Sequence, residues 1–248
     1  MLSIGRTETR IHELLTERKK LIAALIDPEE FTPEKAGETA KLAEEAGASL
    51  IMVGGSTVTD QAQLDAVVRV IKSHVTSPVL LFPGGVTGVS SHADAILFMS
   101  LLNSNNPYFI IGAQAVGSMA VLKARLETIP MGYVIFGNSS AASFMGQVNG
   151  IPPSKPELAV PYAMASKYMG MRAFYLESGS GAAETVPLKG VGAVRKYYDG
   201  ILFVGGGITS PDKAKMLAAA GADILVIGNL LETPNFDKTL REITQATK

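Results

Sequence analysis

The sequence predicts a (β/α)8 barrel, and three observations carry that expectation. Eight short apolar runs rich in Val, Ile and Leu recur along 248 residues, each nearly continuous rather than alternating, as strands buried on both faces of a parallel sheet are. Stretches of helical periodicity lie between most of them, so strand and helix alternate. Eight such units in about 250 residues fit one closed barrel, whereas a doubly wound sheet more often has five to seven strands and one dominant glycine fingerprint.

The elements follow in chain order. Apolar spacing over residues 7–18 predicts a helix ahead of the first strand, placed to plug the barrel bottom. The strand runs are LIAALID (21–27), SLIMVGG (49–55), PVLLFPGG (78–85), AILFMS (95–100), GYVIFGN (132–138), AFYLESG (173–179), ILFVGGG (201–207) and DILVIGN (223–229). Helices are expected over 33–46, 61–74, 112–127, 157–169 and 211–220. Ala46-Gly47-Ala48 and Ala220-Gly221-Ala222 read as helix ends, where glycine takes the left-handed conformation before the next strand. Two places break the rhythm. VTGVSSHADA after the third run is too short for a full helix, so the third βα unit is expected to be irregular. Residues 138–156, with Gly146, Gly150, Pro152, Pro153 and Pro156, read as a long loop over the C-terminal face, and loops of that length are usually functional or mobile. No domain boundary is visible, so one domain over 1–248 is expected.

Composition narrows the function classes. With 47% hydrophobic and 18% charged residues, disorder is excluded. A net charge of -1 removes the positive field that nucleic-acid binders use. The absence of cysteine rules out disulfides, thiolate metal sites and a cysteine nucleophile, and fits a reducing compartment. The N-terminus carries neither a signal h-region nor a membrane span, so a cytoplasmic protein with at most peripheral membrane contact is expected.

Barrel chemistry collects at the C-terminal strand ends. That filter selects Asp27, residues 54–57, the 83–87 loop, Asn103, Asn138, residues 175–181, residues 205–209, Gly228 and Asn229. The seventh run ends GGGITSPDKAK and the eighth ends IGNLLE. Glycines there expose backbone N–H groups, and a helix start follows each, as in the phosphate cup of phosphate-binding barrels. A phosphorylated small molecule is the expected ligand. Glu177 leaves an apolar strand and precedes Ser-Gly-Ser-Gly, so it is the candidate general base, its pKa raised by partial desolvation. Tyr175 projects to the same side of that strand, either orienting Glu177 and the substrate or filling the core. Asp27 and Ser56 offer hard oxygens from adjacent strands, suited to Mg²⁺. An Asp before Pro is equally a turn or capping residue, and both readings stay open. His12, His74 and His92 show no metal-ligand spacing, and Met145, Met164, Met169 and Met171 read as core or interface fillers, with the lining of an apolar groove as the other reading.

Taken together, ALIDPEEF, MVGGST, LFPGG, LLNSNNPYFIIGAQ, FYLESGSGA, FVGGGI and VIGNLLE, in that order, resemble the geranylgeranylglyceryl phosphate synthase family, which includes the bacterial heptaprenylglyceryl phosphate synthases. The NSNNPYFIIGAQ form is similar to the second of the family's two groups. The resemblance implies a prenyltransferase joining the C3 hydroxyl of sn-glycerol 1-phosphate to a prenyl diphosphate, geranylgeranyl in the archaeal case. It also implies a modified barrel whose third helix is extended chain. By the same resemblance Asp27 and Ser56 would bind Mg²⁺, and Glu177 would be the base. Tyr175, Leu176, Glu177, Ser178, Gly179, Ser180, Gly181, Gly206, Gly207, Gly228 and Asn229 would hold glycerol phosphate. A homo-oligomer, dimer or hexamer, is implied as well. The alternatives are a phosphosugar isomerase or synthase barrel, and a non-catalytic phosphometabolite-binding protein. An apolar tail cannot enter a barrel filled with side chains, so a groove across the C-terminal face is expected. Tyr108 and Phe109 are its candidate walls, with packing of the fourth βα joint as the other reading.

Overall fold

The computed structural model describes residues 4–55 and 60–248. Eight parallel strands close in sequence order, with β1 (Leu21–Ile26), β2 (Leu50–Val53), β3 (Val79–Leu81), β4 (Ala95–Leu101), β5 (Glu127–Ile135), β6 (Ala173–Glu177), β7 (Ile201–Gly205) and β8 (Ile224–Ile227), the last pairing back to β1. Every predicted run overlaps one of these strands, although β5 begins at Glu127, ahead of its predicted start at residue 132, and β4 runs on to Leu101. Around them lie α2 (Pro33–Glu45), α3 (Gln61–His74), α4 (Ala113–Ala124), α6 (Ala159–Tyr168), α7 (Leu188–Tyr197), α8 (Pro211–Ala220) and α9 (Phe236–Ala246). α7 and α9 were not singled out by periodicity, although Phe236, Leu240 and Ile243 on α9 are buried at helical spacing.

Strand alternation sorts the core into two layers. Ala23, Leu50, Met52, Leu80, Leu97, Met131, Tyr175, Phe203 and Val226 point into the barrel. Their neighbours Ile22, Ile51, Leu81, Ile96, Leu176, Val204 and Leu225 face the helices. The barrel is therefore packed, and a ligand can sit only at its mouth. The predicted leading helix is α1 (Arg6–Arg18), whose Ile11 and Leu14 join the inner layer and plug the bottom. Glu127 fixes the plug by accepting the N–H groups of Thr7 and Glu8, each at 2.7 Å. Arg172 adds a two-pronged ion pair to the buried Glu8, also at 2.7 Å.

Gly47 and Gly221 take φ of 107° and 120°, so both AGA segments are helix ends as predicted. The expectation of helix through residue 127 is corrected. Arg125 turns left-handed at φ 53°, ending α4 at Ala124, and Glu127 opens β5 beside Ala95. No helix lies between β3 and β4, as expected for the third unit. The 138–156 loop contains the short α5 (Ala141–Met145) and is fastened at both ends. Asn103 donates to the Ile135 carbonyl at 2.9 Å and to that of Asn149 at 3.1 Å, and Asn138 accepts from Gly150 N–H at 2.8 Å. Asn103 and Asn138, picked out as strand-end residues, are therefore loop fasteners. No helix among the described residues is long and apolar enough to cross a membrane.

Candidate active site

Two cavities open side by side on the C-terminal face. The larger, about 350 Å³, lies over the ends of β1 and β6–β8 and is walled by Asp27, Tyr175, Glu177, Gly206, Gly207, Gly228 and Asn229 among others. Barrel register explains why these meet. Glu177 on β6 is level with Gly205 on β7, and Tyr175 is level with Tyr133 on β5 and Phe203 on β7. Residues 173, 175 and 177 share the inward face, so the carboxylate caps a column of core side chains.

Glu177 is 6% exposed. Burial pushes its pKa up and outweighs the hydrogen bond from Gly179 N–H and the weaker influences of Tyr175 and Ser178. Tyr175 is wholly buried, and its hydroxyl faces this carboxyl without reaching hydrogen-bond geometry. Asp27 takes the Glu29 N–H at 3.0 Å, and its pKa is raised by burial and by Glu29 and Glu30. Glu232, on the same wall, is raised by burial and then by Glu30 and Asp27.

The described residues lining this cavity include no Lys or Arg. An anion there must be met by backbone N–H groups and the start of α8, which Ser210 caps. The loops that supply them are tied together. Asn229 Oδ1 accepts from Ser180 hydroxyl at 2.9 Å and from Gly181 N–H at 2.8 Å. Lys213 donates to the Ala183 and Gly207 carbonyls at 3.1 and 3.2 Å. Gly206 and Gly207 hold φ of 88° and 67°, which a side chain disfavours.

The second cavity, about 140 Å³, fills the space where the third helix is missing. Its walls are apolar, with Phe82, Val86, Leu97, Met99 and Phe109 among them. Gly55, Phe82, Tyr133 and Ala142 line both cavities and form the partition between them. Phe82 and Tyr133 meet edge to face at 5.8 Å, and Tyr133 meets Tyr175 at 5.1 Å.

The sequence matches the PcrB family over residues 12–247. The chain belongs to the PcrB family. A geranylgeranylglyceryl phosphate synthase of Methanothermobacter marburgensis is 48% identical over 241 residues, 97% of this chain and 98% of that protein. One from Pyrococcus horikoshii is 51% identical over 231 residues, 93% of this chain and 91% of its own length. Among solved structures, the (S)-3-O-geranylgeranylglyceryl phosphate synthase of Thermoplasma acidophilum in complex with sn-glycerol-1-phosphate superposes with TM-score 0.92 at 36% identity, covering 96% of this chain and 98% of that one. The family resemblance read from the motifs therefore holds.

Within this PcrB-family barrel the expected residues divide. Asp27, Tyr175, Glu177, Ser180, Gly181, Gly206, Gly207, Gly228 and Asn229 come together around the larger cavity. Leu176 points outward into the helix layer. Ser178 N–H is taken by the Gly205 carbonyl and Gly179 N–H by Glu177. Ser56 lies outside the described residues. Phe82, Tyr133, Glu30 and Glu232 are site residues the sequence reading passed over. Phe82 was available as the residue after β3 in LFPGG, and Tyr133 as the inward position two before Ile135.

Proposed function

We propose that this chain joins the C3 hydroxyl of sn-glycerol 1-phosphate to an allylic prenyl diphosphate and releases diphosphate. The observation that carries the proposal is the shared partition. A cavity suited to a small phosphate touches an apolar groove across Gly55, Phe82, Tyr133 and Ala142, with the Glu177 carboxylate on the phosphate side. An isomerase or a metabolite-binding regulator would use the cup and leave the groove without a role. The synthase activity named for the Methanothermobacter marburgensis and Pyrococcus horikoshii relatives supports the same reading.

In this reading the phosphate docks against Gly206, Gly207 and Gly228, which sets the glycerol hydroxyl near Glu177. As the bond from C1 of the prenyl chain to the diphosphate oxygen breaks, a C1–O bond to glycerol forms. The hydroxyl proton passes to Glu177, whose raised pKa suits it as a base. Tyr175 packs beneath the carboxylate as part of the barrel core. The fastened 138–156 loop, through Ala142, Met145 and Gly146, walls the groove from water.

Mg²⁺ fits the acidic side of the cup. Among the described residues no closed cage of three metal-ligating side chains exists, but Mg²⁺ needs only one or two protein oxygens beside water and phosphate. Asp27 would hold it, with Ser56 as the second expected ligand. The mutual repulsion of Asp27, Glu30 and Glu232 is what a divalent cation relieves. When bound, the ion supplies charge neutralisation for the departing diphosphate.

Incubation with labelled geranyl, geranylgeranyl and heptaprenyl diphosphates, glycerol 1-phosphate and Mg²⁺ tests the proposal. Label should enter an ether lipid with one diphosphate released per product. Glycerol phosphate binding without transfer from any of the three would favour the metabolite-binding alternative.

A further inference from the structure

The far wall of the groove is an unusual backbone turn held by a glutamine with half of its amide unpaired. Tyr108–Gly112 form a π turn, in which the Ala113 N–H donates to the Tyr108 carbonyl. Such turns are rare and occur mostly at functional sites. The Phe109 ring lines the groove with Met99, Ala113 and Gln114, and Tyr108 backs it edge-on at 5.2 Å.

Two side chains pin this turn to β4. Ser100 hydroxyl donates to the Ile110 carbonyl at 2.7 Å. Gln114 Nε2 donates to the Met99 carbonyl and, at 3.2 Å, to the Phe109 carbonyl. Two carbonyl partners fix which end of the amide is nitrogen. The other end, Oε1, is buried with no partner. Leu or Met would fill the space without stranding an acceptor, so the site uses Gln114 for its donors. Closing the same segment with α geometry would rotate its residues by about 100° around the helix axis. Phe109 would then leave the groove wall.

We propose that Gln114 is a positioning residue for prenyl chain length, holding the π turn so that Phe109 closes the groove. The inference rests on the prenyltransferase reading, and the two fail in different ways. Transfer rates with geranylgeranyl and heptaprenyl diphosphates are compared in Phe109→Ala, Gln114→Leu, Gln114→Glu, Ser100→Ala and the Phe109→Ala/Gln114→Leu double variant. Phe109→Ala should raise the heptaprenyl-to-geranylgeranyl ratio of kcat/KM on the order of tenfold, the scale of a reshaped apolar pocket. Gln114→Leu and the donor-less Gln114→Glu should shift it in the same direction by several-fold, with glycerol phosphate KM unmoved, and Ser100→Ala by less. The double variant should match Phe109→Ala alone. If Gln114→Leu slows both diphosphates equally, or its shift multiplies that of Phe109→Ala, Gln114 does not act through Phe109 and the proposal is overturned. Wild-type protein that transfers no prenyl group at all would overturn the transferase reading instead.

Discussion

Over β6–β8 the ligand space is enclosed by backbone, whereas over β3–β5 side chains enclose it. The first region is built from glycine turns latched by Asn229 and Lys213, and no Lys or Arg reaches its described walls. The second occupies the gap left by a missing helix and is shaped by Phe82, Met99 and Phe109. Backbone dipoles cannot be trimmed by substitution, only displaced, so changes in the cup should alter binding or chemistry outright. Side-chain walls can be trimmed one group at a time, so changes in the groove should grade specificity. Glu177 stands in the cup but close to the partition, and combines both demands.

The largest expected effect comes from that residue. Glu177→Gln should lower kcat by roughly 10²- to 10⁴-fold with glycerol phosphate KM little changed, and wild-type-like turnover would remove Glu177 as the base. The same substitution should make the protein more stable at neutral pH. Burial raises the folded-state pKa of Glu177 above its ordinary carboxylate value. The folded state thus holds the proton more tightly, and stability present below the unfolded pKa is lost as pH rises through the folded one. Gln carries no such penalty, so its Tm advantage should grow from acid to neutral pH. A constant difference across that range would mean that desolvation of the carboxylate is not the cause. Turnover of the native enzyme should for the same reason fall on the acid side at higher pH than an ordinary carboxylate would give.

Gly206→Ala comes next. Its φ of 88° and the 2.5 Å approach of an added Cβ to Glu177 Oε1 force the loop to move, at a cost of about 1–3 kcal/mol. Glycerol phosphate KM should rise roughly tenfold or more while prenyl preference stays fixed, as steady-state kinetics would show. A shifted chain preference here would mean that cup and groove are not separable. Asp27→Ala should weaken Mg²⁺-dependent prenyl diphosphate binding in calorimetry far more than glycerol phosphate binding. Equal loss of both would point to a collapsed mouth.

The smallest effect is expected at Tyr108. The sequence offered Tyr108 and Phe109 as equal candidates, but only Phe109 lines the groove, and Tyr108 is 42% exposed behind it. Tyr108→Ala should therefore move chain-length preference less than Phe109→Ala does. The reverse order would relocate the end of the groove.

Much of this molecule was legible in one dimension. Continuous apolar runs revealed the strands because both faces of each are buried, and alternation within AFYLE was enough to place Tyr175 and Glu177 on one inward face. Gly206 and Gly207 after β7 marked the cup because positive φ is a local backbone property that residue type reports directly, whereas Gly228 after β8 sits at φ -110°. The helices were read less evenly, since the end of α4 depends on Arg125 turning left-handed and nothing in its residue type demands that.

What only the tertiary structure decided is which strand-end residues share a space. Barrel closure sets Tyr133 beside Tyr175, and Glu177 between Ile135 and Gly205, a register that depends on the stagger of all eight strands. The same closure leaves the gap beside β3 that becomes the groove. It assigns Asn103 and Asn138 to fastening a loop, although their strand-end positions look as functional as that of Asp27. Local sequence fixes the direction in which a side chain leaves its own strand. The atoms it meets are contributed by segments tens of residues away, and their approach is set by the packing of the whole barrel.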